Sequence, residues 1–92
     1  MENIKINEKV YTVVENNRDA IDIEVLKEKI TEYYDEFDYI LGDYAYGKVR
    51  LKGFNERSNK NFNSINDYSK IKDYIKNNCA YGCKYFILKL QK

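Results

Sequence analysis

The chain reads as a single two-layer α+β domain over residues 1–92, in the order β-α-β-β-α-β, with two helices packed on one face of a mainly antiparallel sheet. Three observations predict it. Residues 23–37 place apolar side chains at alternating steps of three and four, the period of a helix with one buried stripe. Residues 48–54, KVRLKGF, alternate cation and aliphatic, the period of a strand. Residues 65–79 return to the helical period before the apolar run KYFILKLQ at 84–91.

Each element has its own local grounds. Val10-Tyr11-Thr12-Val13-Val14 has the β-branched and aromatic content of a strand, and Asn7-Glu8-Lys9 turns the short run IKI back onto it. Asp22 is placed to cap the first helix, where a carboxylate accepts first-turn amides at the positive end of the helix dipole. Ile23, Leu26, Ile30, Tyr33 and Phe37 form that helix's stripe; Glu24, Glu28, Glu32, Asp35 and Glu36 form its solvated face. Residues 39–44 and 48–54 make a hairpin across a turn at 45–47, with Gly47 supplying the left-handed conformation. Pleat parity sends Val49 and Leu51 towards the helices and Lys48, Arg50, Lys52 and Phe54 the other way. Residues 55–63, NERSNKNFN, have loop composition and are the segment expected to move. The second helix starts after a cap at Ser64, Asn66 or Ser69 and runs to about residue 78, burying Ile65, Tyr68, Ile71, Ile75 and Cys79. In the last strand Phe86, Leu88 and Leu90 oppose Tyr85, Ile87 and Lys89.

Ninety-two residues form one core near the lower size limit. No apolar run reaches membrane-spanning length and no signal peptide opens the chain, so no membrane partner is expected and the cytoplasm is the default location. Histidine is absent, which removes the commonest general base and metal ligand. The net charge of +1 conceals a polar layout: residues 1–46 set five cations against twelve carboxylates, and residues 47–92 set eleven against three. Such halves point to an electrostatic role for the basic one, or to an acidic helix beside a basic one for solubility.

The hairpin motif GDYAYGKVRLKGF and the later NNCAYGCKYFIL resemble the YutD-like family of small cytosolic proteins from low-GC Gram-positive bacteria. The matching residues are Asp43, Tyr44, Tyr46, Arg50, Leu51, Lys52, Gly53 and Phe54, then Tyr74, Cys79, Gly82, Cys83, Tyr85 and Phe86; the acidic cap Asp22 also fits. The likeness extends over residues 10–90. It implies an α+β domain and, the family having no agreed activity, assigns no catalytic role. Some relatives carry a longer C-terminal tail, and a function housed there is not expected of this chain.

Four constellations of residues bear on chemistry. Cys79 and Cys83 form one CxxxC without histidine, short of the four ligands of a closed zinc site, and a helix C-terminus opposes a thiolate; buried thiols are the plainer reading. Asp43 and Arg50 near the hairpin tip lack a second carboxylate and read as a cross-strand ion pair. No phosphate-cradling glycine motif is present, so an enzyme ranks third behind the two binding readings, and no cofactor or metal is expected. What remains is a binding surface of Tyr44, Tyr46, Arg50, Lys52, Phe54, Tyr81 and Tyr85, where cations would meet phosphates and rings would stack bases. The expected partner is RNA, on a ribosomal particle or free; the alternative is another protein bound through the same residues. Arg50→Glu is then expected to abolish binding with little effect on folding.

Overall fold

The computed structural model describes residues 2–78 and 84–91. Its strands are β1 (Asn3–Ile6), β2 (Lys9–Asn17), β3 (Tyr39–Ala45), β4 (Lys48–Phe54) and β5 (Tyr85–Leu90), and its helices are α1 (Ile23–Lys29) and α2 (Ile71–Asn78). They form one five-stranded sheet in the order β1-β2-β5-β3-β4, antiparallel at every pairing. The α+β class and the element order are as expected, with the extra N-terminal strand. Among the described residues no helix is long and apolar enough to cross a membrane.

Two-residue turns set both hairpins. Asn7 and Glu8 (φ 50° and 70°) join Ile6 to its partner Lys9, and Tyr46 and Gly47 (φ 54° and 76°) join Ala45 to Lys48. Left-handed conformation at both central residues defines the type I′ turn, whose twist matches that of the flanking strands. Asn and Gly suit it; Tyr46 adopts it against its own steric preference.

The helices occupy opposite faces of the sheet, not one face as the sequence suggested. Leu26 and Ile30 pack with Ile4, Ile6, Tyr11, Ile40, Phe86 and Leu88 on one side. Ile71 packs with Tyr39, Leu41, Phe54 and Ile87 on the other, flanked by Tyr68, Tyr74 and Ile75. The two clusters take alternate residues of β3 and β5. Both strands are central and carry unbroken apolar runs, Tyr39-Ile40-Leu41 and Tyr85 to Leu88, so each needs cover on two sides. In β2 the pleat places Val13 in the α1 cluster and Val14 in the α2 cluster, and the register with β5 shifts by one residue between Val13 and Glu15.

The first helix is also shorter than its apolar period. Asp22 caps it as expected, accepting from the Val25 amide at 3.4 Å. It ends at Lys29, and the extended Ile30 and Thr31 lead into a 3-10 helix at Glu32–Glu36. Asn7, in the first hairpin turn, donates to the carbonyls of Lys27 (2.8 Å) and Ile30 (3.1 Å), satisfying acceptors that a longer helix would have used. The break leaves Tyr33 exposed and carries Phe37 over β4, where its ring covers Gly53.

Residues 55–63, expected to be a mobile loop, and the following residues to 67 are held by asparagine side chains. Asn55 is fully buried; its side-chain oxygen accepts from the Asp38 amide and from Asn59, at 2.8 and 3.0 Å. Asp38 accepts from the Glu56 amide (2.9 Å) and Asn59 (3.1 Å). Asn63 and Asn66 cap one another's backbone. The cap of the second helical segment is Asp67, which takes the Ser69 amide and hydroxyl at 3.0 and 2.8 Å, rather than Ser64, Asn66 or Ser69. A 3-10 turn, Tyr68–Lys70, then leads into α2, and Ile65 stands outside the helix in solvent.

Candidate binding surface

Arg50 and Asp43 are direct cross-strand partners in β4 and β3. The guanidinium meets the carboxylate two-on-two, Nε to Oδ1 at 3.0 Å and Nη2 to Oδ2 at 2.7 Å, and Nη2 also donates to the Asn78 carbonyl at 3.2 Å. Asp43 is buried, and Arg50 is half exposed above it. The hydrogen bonds and charge of Asp43 hold the guanidinium above its already high ordinary pKa. The third bond places a cation at the C-terminal end of α2, where the helix dipole favours it. Arg50 is therefore a clasp between β3, β4 and α2, with one side left open to solvent.

Lys52 projects to the same face, its ammonium 5.2 Å from the Phe54 ring and 5.5 Å from the Tyr74 ring, within range of a cation–π contact. Phe54 itself is 1% exposed and edge-on to Tyr74 beneath α2. Tyr85, half-buried on this face, has its phenol pushed up by burial and then by Glu15, which pairs with Lys72 of α2. Tyr44 lies on the α1 face. Its hydroxyl donates to the Ala20 carbonyl at 2.8 Å, and the Lys84 ammonium sits 4.5 Å from its ring. Burial, then the charge of Asp22, raises its pKa. Tyr46 stands fully exposed at the hairpin tip.

The structure thus brings Arg50, Lys52, Phe54 and Tyr85 to one face and leaves Tyr44 on the other. Phe54 belongs to the core, and α2 covers the face that was to be open. Tyr81, with Cys79 and Cys83, lies outside the described residues. Val49 and Leu51 turn towards the α1 cluster, as their parity required.

Sequence reasoning missed the outer edge of β4. The strand is last in the sheet, and Leu51, Lys52 and Gly53 line a groove of about 330 Å³ between Phe37 on one side and Ile65 on the other. Tyr33 and Ile65, both at its rim, are 63% and 76% exposed. The only local signal was the aromatic run Tyr33-Tyr34 to Phe37, which the helical period absorbed. Chemically, this surface offers fixed cations, strand backbone and exposed apolar groups, the means of recognition.

The family described as "Putative antitoxin YutD-like" matches residues 5–89. The "Putative antitoxin YutD" of Bacillus subtilis (strain 168) is 35% identical over 86 residues, which cover 94% of each protein. The solution NMR structure of protein yutD from B. subtilis is similar with a TM-score of 0.79 at 33% identity, across 100% of this chain and 84% of that one. Sequence and fold agree over nearly the full length: the chain belongs to the YutD-like family.

Proposed function

We propose that this protein is a cytoplasmic, non-catalytic module that binds another protein, as a stoichiometric antitoxin would bind a toxin. The relative named as a putative antitoxin motivates the partner class, since occluding a target by binding is one way for a protein to neutralise it. The observation that carries the reading is the exposed end of the β3–β4 hairpin. Tyr46 is fully exposed there, beside the exposed Lys48 and the half-exposed Arg50, and tyrosine and arginine are the residues most enriched at interface hot spots.

An RNA partner finds less support. Base stacking needs open ring faces, whereas Phe54 is buried and Tyr39 is stacked on Tyr68 with centroids 3.7 Å apart. Affinity capture of the tagged full chain, with and without nuclease, tests the choice. A stoichiometric protein that survives nuclease is the expected result. A partner lost after nuclease, with affinity falling steeply as salt rises, would instead place RNA in the site.

A further inference from the structure

We infer that the outer edge of β4 is where a partner protein adds a strand, and that this strand alternates acidic and aliphatic residues. The inference rests on the protein-binding reading above and names its site. β4 ends the sheet, and its pairing with β3 is closed by a two-residue turn at Ala45 and Lys48. In such a hairpin the residues flanking the turn exchange hydrogen bonds, and the pattern alternates from there. Lys48, Arg50 and Lys52 therefore bond inward to β3, while Val49, Leu51 and Gly53 aim their N–H and C=O groups away from the sheet. Asn55, next in the outward series, shows that the edge accepts a strand: its amide donates to the Asn66 carbonyl at 2.7 Å and its carbonyl accepts from the Tyr68 amide at 2.9 Å. That parallel bridge stops at Asn55. Among the described residues no strand pairs with the outer edge from Lys48 to Gly53.

The side chains select the occupant. On the α2 side, all three β4 residues that would flank an added strand are cations: Lys48, Arg50 and Lys52. On the α1 side they are Val49 and Leu51, beside a groove with Tyr33 and Ile65 exposed at its rim. Directly opposed like charges destabilise a strand pair and opposite charges stabilise it. A second copy of β4 would set cation against cation in every register that matches the faces, so the edge discourages self-pairing, a common use of edge lysines. The same lysines attract a strand with carboxylates on one face and aliphatic groups on the other, in either direction. Backbone bonds would supply affinity and the alternating side chains selectivity, as in other strand-addition complexes.

The test titrates a capped seven-residue peptide of alternating glutamate and valine into ¹⁵N-labelled full-length protein, read by amide chemical shifts. The expected result is shifts led by Val49, Leu51 and Gly53. An otherwise equal lysine–valine peptide should give none. Lys48→Glu with Lys52→Glu should weaken binding about tenfold, two cross-strand contacts being reversed. Val49→Pro removes one outward donor and leaves the β3 pairing, so it should abolish binding; if that variant loses its dispersed spectrum, the charge reversal decides alone. Absence of β4 shifts, or equal binding of the lysine–valine peptide, overturns the inference. The two levels separate: a nuclease-resistant partner still captured by the charge-reversed and Val49→Pro chains would overturn the edge and leave the protein-binding reading intact. Loss of every nuclease-resistant partner would remove that reading and with it the inference.

Discussion

Arg50 illustrates how a single side chain changes meaning once its partner is placed. As an isolated strand cation it reads as a ligand contact, and Arg50→Glu reads as a clean loss of binding. With Asp43 buried 2.7 Å from its Nη2, the same substitution sets two carboxylates against each other and releases the Asn78 carbonyl. The melting temperature of Arg50→Glu should fall, and Asp43→Arg with Arg50→Glu should recover part of the loss; a double-mutant cycle in chemical denaturation measures the coupling. No recovery, with each single variant near wild-type stability, would return Arg50 to the surface role. Gly53 makes a sharper case. A Cβ there would lie 2.2 Å from the Phe37 ring, so Gly53→Ala must push that ring off the strand. Overpacking of this kind costs about 1–3 kcal/mol, roughly 4–8 °C in melting temperature per kcal/mol at this size. The Asp43–Arg50 pair could be read from the sequence, being local to one hairpin. The Gly53–Phe37 contact could not, because it depends on the helix break at Ile30, far from Gly53 in sequence, that only the Asn7 cap explains.

At the scale of elements, legibility followed the range of the forces. Both hairpins, the Asp22 cap and the burial of Val49 and Leu51 follow from neighbouring residues and were foreseen. The end of α1 at Lys29 and the asparagine network of residues 55–67 depend on partners about twenty residues away, beyond any local period. Within the β3–β4 hairpin one position is locally unfavourable. Tyr46 holds φ 54° in a turn that prefers Asn-Gly, while its ring is fully exposed. Tyr46→Asn should therefore stabilise the fold by roughly 1 kcal/mol, the order of the left-handed penalty it relieves. If Tyr46 also belongs to the partner-binding surface, the same variant gains melting temperature and loses captured partner. A stabilised chain with undiminished capture would show that the ring serves neither purpose.

The whole molecule is a sheet with a separate core on each face, and a local period does not say on which side of a sheet a helix falls. The unbroken apolar runs of β3 and β5 were the available sign, since a strand with one wet face alternates and these do not. The two cores share those central strands and should fail together as one cooperative unit. Each contains a tyrosine that tests this. Tyr11, in the α1-side core, is pushed up to about 12 by burial and then by Asp35; Tyr39, in the α2-side core, is pushed up to about 12 by burial and then by the charge of Glu56. In the unfolded chain both phenols ionise near 10. Below that pH they are neutral in both states and stability is unaffected. Between 10 and 12 the unfolded chain loses protons that the folded one retains, so stability falls with a limiting slope of about 1.4 kcal/mol per pH unit for each ring. The ring resonances of Tyr11 and Tyr39, read residue by residue by NMR, and far-ultraviolet circular dichroism should therefore change together in one alkaline transition in that window. Tyr11 or Tyr39 resonances that titrate near pH 10 with the secondary structure intact would contradict the burial of these rings, and two separate transitions would show that the faces unfold independently.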